Sequence, residues 1–130
     1  KGKVIQLGKR TIIMGILNVT PDSFSDGGSY YNNVDKALEH VKDMYEDGAD
    51  IVDIGGESSR PGSEQVSEGE ELSRVIPVIE AVRRELGEEV FLSIDTYKAE
   101  VAREALLKGV DMINSLGGFI FDRDLANVAA

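Results

Sequence analysis

The chain has 130 residues, a formal net charge of −10 and no cysteine. This length is enough for one domain with its own core, and a chain without cysteine forms neither disulfides nor thiolate metal sites. The acidic balance argues against nonspecific nucleic-acid binding, because neutralisation of phosphates supplies that affinity. No apolar run approaches the ~18 residues of a membrane span, and the N-terminal residues do not resemble a signal peptide. We therefore expect one cytoplasmic domain.

The first predicted elements form a short hairpin. Residues 4–7 and 11–17 are mostly apolar and flank Gly8 and Lys9, a pair that suits a tight turn. The second of these segments is the first candidate for a central strand, because it is nearly all apolar.

A helix follows the loop after that strand. Apolar residues recur at helical spacing between positions 34 and 45. Asn32 or Asn33 is expected to cap this helix and Gly48 to end it. His40 falls inside the pattern beside an acidic residue, so we interpret it as a surface residue.

The next strand and helix are predicted over residues 49–54 and 72–86. The strand is apolar except for two aspartates, as expected of a strand covered on both faces. Ser67 and Glu70 have the spacing of a capping box at the start of the helix. Pro77 falls inside the helix and should kink or split it.

Two further strands are predicted over residues 90–94 and 110–113, and they lead into Asp95 and Asn114. Between them Thr96 is expected to cap a third helix. The recurring unit throughout the chain is thus an apolar strand, a polar loop and an amphipathic helix.

This alternation predicts an α/β fold with a parallel sheet and right-handed crossovers. Two architectures remain open, a doubly wound open sheet and a (β/α)8 barrel. The chain supplies about four βα units, whereas such a barrel needs about 250 residues. Residues 1–130 therefore form either a small open sheet or the first half of a barrel.

Polar residues follow all four central strands. The carboxyl ends of parallel strands share one rim, where such folds build their sites. Asn18 offers an amide to a cation or an anion, while Ser59 and Arg60 suit a phosphate or a carboxylate. Asp95 and Asn114 together can bind the edge of a flat heterocycle. Any one of these residues alone is more often a turn or cap residue, but their common rim favours a site.

Two longer segments carry a resemblance to a known family. MGILNVTPDSFSDGG at 14–28 and GADIVDIGGESSRPG at 48–62 look like the two signatures of dihydropteroate synthase. SIDT at 93–96 and IN at 113–114 match its next two strand ends. The resemblance implies the N-terminal half of a (β/α)8 barrel. It also implies a reaction that joins 6-hydroxymethyl-7,8-dihydropterin pyrophosphate to para-aminobenzoate and releases pyrophosphate.

The resemblance assigns the pyrophosphate side of this site. Asn18 would help to hold Mg²⁺ on the pyrophosphate, and Ser59 and Arg60 would contact pyrophosphate or the aminobenzoate carboxylate. Asp26 would stabilise positive charge at the pterin methylene, so Asp26 and Arg60 are the implied catalytic residues.

The resemblance also assigns the two ring pockets. Phe24 and Pro61 would line the aminobenzoate pocket, where sulfonamides compete in the family. Asp95 and Asn114 would bind the pterin edge. A homodimer is implied for the full-length protein.

The chain departs from the family pattern in three ways. Ser59 replaces a threonine, and Ser115 stands where an aspartate usually follows Asn114. The family's later aspartate, lysine, arginine and histidine have no counterpart in this chain. We therefore expect these 130 residues to be inactive alone.

Two other interpretations stay open. One is a pterin-binding methyltransferase module of the methyltetrahydrofolate and corrinoid type, which shares the barrel and the pterin-binding residues. The loop with Phe24 and the turn at 59–62 argue against it, because methyl transfer has no pyrophosphate to bind. The other is a non-catalytic half-barrel, which would self-associate through its unpaired edge strands.

Overall fold

The fold alternates four strands with four helices. The computed structural model describes residues 3–20, 30–58 and 62–130. The elements, in chain order, are β1 (Met14–Asn18), α1 (Tyr30–Glu46), β2 (Ile51–Gly55), α2 (Glu68–Leu86), β3 (Phe91–Asp95), α3 (Ala99–Leu107), β4 (Met112–Asn114) and α4 (Leu125–Ala129).

The four strands form one parallel sheet in the order β1-β2-β3-β4. Each strand begins later than the sequence predicts, and β3 and β4 end at Asp95 and Asn114 as expected. Asn18, expected just after its strand, is instead the last residue of β1, where the sheet fixes its backbone. The final positions are paired in register across the sheet as Asn18, Gly55, Asp95 and Asn114.

The helices pack on one face of the sheet. Leu17, Ile54 and Ile94 point to that face and are buried in the main core with residues of α1, α2 and α3. On the other face Ile16 is 65% exposed. A doubly wound sheet carries helices on both faces, so the single helical layer favours the barrel of the two predicted architectures.

The predicted N-terminal hairpin is wrong, because no strand forms among residues 3–13. Side chains rather than backbone ladders hold this segment. Lys3 Nζ donates to Asp111 Oδ2 at 2.9 Å, and Arg10 donates to Asp50 Oδ2 at 2.8 Å. The amide of Ile13 also donates to Asp50 Oδ2, at 2.9 Å. The segment is thus attached below the amino ends of the strands.

The capping predictions have mixed outcomes. Ser67 is confirmed as the N-cap of α2, since its hydroxyl accepts from the Glu70 amide at 3.2 Å. Helix α1 starts at Tyr30, so Asn32 and Asn33 lie inside it and the predicted cap is wrong. The apolar residues from which this helix was predicted cover only the part of α1 that packs on the core, so the first turn was missed.

The third helix is capped from a distance. The prediction for Thr96 is wrong: Lys98 is the N-cap residue, and the Thr96 hydroxyl accepts from its amide at 3.2 Å. The Ala99 amide donates to Asp122 Oδ2 at 2.8 Å. Asp122 lies in the loop after β4, so only the tertiary fold could supply this partner.

Helix α2 is continuous through Pro77, so the predicted split did not occur. Val75 and Ile79, on either side of the proline, are fully buried against the sheet. This packing holds both halves of the helix on one surface. In the parts of the chain that the structure describes, no helix is long and apolar enough to cross a membrane.

Candidate functional site at the carboxyl ends of the strands

The candidate site is the mouth, which we define as Asn18, Asp53, Gly55, Ser93, Asp95 and Asn114 on the exposed face of the sheet. Asn18 and Asp95 stand on either side of Gly55. A Cβ atom at Gly55 would lie 3.7 Å from Asn18 Oδ1 and 3.8 Å from Asp95 Oδ2. The glycine therefore leaves an opening between an amide and a carboxylate.

A buried aspartate lies one layer below this row. Asp53 precedes Gly55 by two positions, so it points to the same face of the sheet. It is 3% exposed, and its Oδ2 accepts from Asn114 Nδ2 at 2.8 Å. Asp53 Oδ1 and the Oγ of the fully buried Ser93 have no hydrogen-bond partner among the described residues. Buried polar atoms are usually satisfied, so these two point to a ligand in the mouth.

The mouth favours a ligand that donates hydrogen bonds. Burial raises the pKa of the Asp95 carboxyl above its ordinary value, and the negative charges of Asp53 and Glu71 raise it further. A ring N–H group or a positive charge beside Asp95 would stabilise the ionised carboxylate and lower its pKa. The arrangement thus suits the donor edge of a polar heterocycle.

A buried ionic cluster supports one side of the mouth. Lys98 is 8% exposed, and its ammonium donates to both Glu57 and Glu71. Glu57 lies two residues after β2 and also accepts from the Tyr97 hydroxyl at 3.1 Å. Its carboxylate accepts from the Val66 amide at 3.3 Å as well. The cluster therefore joins the start of the loop after β2 to α2 and α3.

Glycine allows that loop to leave β2 close to α2. A Cβ at Gly56 would come within 2.8 Å of Val75 Cγ1. The Gly56 carbonyl also accepts from Arg74 at 2.8 Å. The beginning of the loop is thus held by packing and by hydrogen bonds.

A cavity of about 180 Å³ opens between this cluster and the loop after β4. Glu71 and Asp95 line its polar side, while Leu116 and Phe121 line its apolar side. The rings of Tyr97 and Phe121 lie 5.4 Å apart at its edge. Asp95 lines this cavity and also belongs to the mouth.

The structure brings together three of the residues that the sequence singled out, Asn18, Asp95 and Asn114. His40 is exposed on α1, so its surface position is confirmed. The remaining predicted site residues lie outside the described residues: Phe24, Asp26, Ser59, Arg60 and Pro61.

Sequence reasoning missed Asp53, Ser93, Glu57, Glu71 and Lys98 as members or supports of the site. Asp53 had a usable signal, because a carboxylate two positions before a strand end shares the face of that end. The ionic cluster had none, since its members are separated by up to 41 residues.

Asn18 is the metal ligand that the sequence predicts in the mouth. No group of three histidine, cysteine or acidic side chains that could hold a metal ion occurs within residues 3–20, 30–58 and 62–130. The amide oxygen of Asn18 is a hard donor beside the opening at Gly55. Mg²⁺ often takes one or two protein ligands and completes its shell with water and phosphate oxygens, so this residue fits such an ion.

The chain is similar to known proteins. A family model described as pterin binding enzyme matches residues 14–130. The dihydropteroate synthase of Bacillus subtilis is 58% identical over 130 residues, which are 100% of this chain and 45% of that protein. The chain spans about half the length of the curated relatives it matches.

Two solved structures show the same fold. The dihydropteroate synthase of Clostridium difficile, crystallised in the presence of pteroic acid, is 58% identical with a TM-score of 0.91. The alignment covers 96% of this chain and 46% of that one. The Xanthomonas albilineans enzyme with 4-aminobenzoic acid is 46% identical with a TM-score of 0.84, and 92% of this chain covers 43% of it. The expected four βα units of a (β/α)8 barrel are confirmed.

Proposed function

Because this chain belongs to the pterin binding enzyme family, we propose that it is the N-terminal part of a dihydropteroate synthase. Residues 1–130 are then about half of one barrel domain, and the complete site needs the other half. The observation that carries the proposal is the row of Asn18, Gly55, Asp95 and Asn114 at one end of the sheet. This row offers a heterocycle site and an amide oxygen side by side.

The proposed reaction is a substitution at the methylene carbon of 6-hydroxymethyl-7,8-dihydropterin pyrophosphate. The amine nitrogen of para-aminobenzoate forms a bond to that carbon. The C–O bond breaks, and pyrophosphate leaves with the electron pair. The amine loses one proton, and 7,8-dihydropteroate is the product.

Asp95 and Asn114 bind the pterin ring in this proposal. The carboxylate accepts from ring N–H or amino groups, and the amide can accept and donate. Their neighbouring positions in the sheet fix the distance between the two side chains.

Loop residues complete the site. Asp26 stabilises the positive charge at the methylene, and Arg60 with Ser59 binds the leaving pyrophosphate or the aminobenzoate carboxylate. Phe24 and Pro61 line the aminobenzoate pocket. These five roles rest on the resemblance and on the chemistry of the side chains.

Asn18 would be the protein ligand of Mg²⁺. When bound, the ion would neutralise charge on the pyrophosphate oxygens. A single amide ligand suits an ion that a substrate phosphate also coordinates.

The wider setting follows from the same proposal. The full-length protein is a cytoplasmic homodimer in folate biosynthesis, and sulfonamides compete with para-aminobenzoate. Nucleic acid and membranes are not its partners, in line with the net charge of −10.

Substitution of Asp95 tests the proposal. The wild-type full-length protein should form dihydropteroate from the two substrates with Mg²⁺, and Asp95→Ala should abolish pterin binding. Asp43→Ala, on the exposed side of α1, is the matched control and should keep full activity. Turnover by Asp95→Ala at the wild-type rate would refute the site. Binding of methyltetrahydrofolate without any binding of pterin pyrophosphate would instead support the methyltransferase alternative.

A further inference from the structure

The hydrogen bond between Asp53 and Asn114 links the buried layer of the mouth to its rim. Asn114 Nδ2 donates to Asp53 Oδ2 at 2.8 Å. The two residues belong to β2 and β4, with β3 between them. Asp53 is 3% exposed, so solvent competes little for this bond.

This bond fixes the direction of the Asn114 amide. An amide has a donor end and an acceptor end. If the group were reversed, Asn114 Oδ1 would face Asp53 Oδ2, and two acceptors would meet in a buried place. Asp53 Oδ2 therefore keeps the donor end of Asn114 inward and leaves Oδ1 to accept from another group.

Two further buried oxygen atoms lie on the same face, below the rim of the mouth. Asp53 Oδ1 and Ser93 Oγ point to the same sheet face and have no partner among the described residues. Asp53 and Ser93 are directly paired across β2 and β3. Above Asp53 on its strand lies Gly55, which has no side chain to cover it. Asp53 Oδ1 thus adds an acceptor to the floor of the mouth, and the Ser93 hydroxyl can accept or donate.

We propose that Asp53 is a positioning residue for pterin binding, which holds Asn114 so that its Oδ1 accepts from an N–H group of the ligand. The inference rests on the proposed function. Asp53 acts through Asn114, so the mouth favours a heterocycle edge that carries donors. Loss of Asp53 would free the amide to rotate and remove that selection.

The test measures binding of pteroic acid to the full-length protein by calorimetry. Asp53→Ala should weaken binding about 10-fold or more, because the Asn114 amide loses its buried hydrogen-bond partner. Asp53→Asn keeps an acceptor oxygen for Asn114 and should bind within about threefold of wild type. Asp50→Ala, just before the same strand, is the control and should leave the affinity unchanged.

A double-variant cycle separates positioning from a general structural effect. If Asp53 acts through Asn114, Asp53→Ala should add less than about twofold in an Asn114→Ala background. Full additivity of the two substitutions would overturn the proposal, as would wild-type affinity in Asp53→Ala. A wild-type protein that does not bind pteroic acid would overturn the proposed function itself.

A second set of variants tests the proposal if Asp53→Ala does not fold. In this set Asp53 and Asn114 exchange their side chains. Asn114→Asp puts two carboxyl groups together and should weaken pteroic acid binding about 10-fold or more. Adding Asp53→Asn restores one donor and one acceptor with their places exchanged, and most of the affinity should return. Failure of the double variant to recover any binding, in a folded protein, would contradict the inference.

Discussion

The two ends of the sheet carry buried polar groups of opposite kinds. At the amino end is the base cluster, which we define as Lys3, Arg83 and Asp111. Asp111 accepts from Lys3 and Arg83, at 2.9 Å and 2.8 Å, and from the Leu92 amide at 3.0 Å. At the carboxyl end Asp53 and Ser93 each keep a buried atom without a partner among the described residues. The base cluster is satisfied by the chain itself, whereas the mouth is arranged for a ligand.

The pKa shifts of Asp111 and Asp95 also differ between the two ends of the sheet. Burial alone would raise the pKa of Asp111, but the Leu92 amide, Lys3 and the charge of Arg83 outweigh it and lower the pKa. For Asp95 burial and the charges of two neighbouring carboxylates all raise the pKa. The ionised carboxylate of Asp111 thus stabilises the fold. The ionised carboxylate of Asp95 destabilises it, and ligand binding can offset this cost.

Loss of the base carboxylate should have the largest effect on stability. Asp111→Ala removes the shared acceptor of Lys3, Arg83 and the Leu92 amide, and should lower the free energy of unfolding by about 3–5 kcal/mol. The wild-type contribution is present above the ordinary pKa of 3.8 and is lost as pH falls through the lower folded value. Urea unfolding of the full-length protein at pH 7 and pH 3 would measure both.

A matched control for this prediction is the exposed pair of Glu100 and Arg103 on α3. Glu100→Ala should change stability by less than about 1 kcal/mol, because exposed pairs contribute little. An equally small effect for Asp111→Ala would show that the base cluster does not stabilise the fold, and the contrast between the two ends would fail.

The cluster of Lys98, Glu57 and Glu71 lies between these extremes. Lys98→Met leaves the buried Glu71 and the partly buried Glu57 without a counterion and should cost about 3 kcal/mol at pH 7. Burial would raise the pKa of the Glu57 carboxyl, but its hydrogen bond and charge interaction with Lys98 outweigh burial and lower the pKa. Without Lys98 this carboxyl takes up a proton at higher pH, so the loss should shrink as pH falls. Adding Glu71→Gln should recover part of the loss at pH 7. Thermal unfolding of the single and double variants at pH 5 and 7 would test it, and a pH-independent loss would contradict it.

Substitution at the mouth should have the smallest effect on stability, and its sign should be reversed. Asp95→Asn removes a carboxylate whose pKa is raised, so Tm should stay equal or rise slightly at pH 7. The gap over wild type should grow as pH rises from the ordinary pKa of 3.8 through the higher folded value. Scanning fluorimetry at pH 4 and pH 7 measures it. A marked fall in Tm at pH 7 would show that Asp95 stabilises the fold.

Sequence patterns predicted the elements well where the pattern and the packing coincide. The four strands, the helical stripe on α2 and the Ser67 cap all depend on neighbouring residues, so local spacing revealed them. The prediction of the N-terminal hairpin was wrong because the turn residues at Gly8 carry no information about Lys3. Lys3 contacts Asp111 at the far end of the chain. The cap of α3 failed because its acceptor is Asp122.

The sequence by itself determined the parallel α/β fold and placed Asn18, Asp95 and Asn114 on one rim, because strand direction and side-chain alternation are local properties. Only the tertiary structure decided how these residues are joined below the rim. The link from Asn114 to Asp53 spans 61 positions, and the link from Lys98 to Glu57 spans 41. Such contacts depend on the register between strands and the packing of helices on the sheet, which no local pattern specifies.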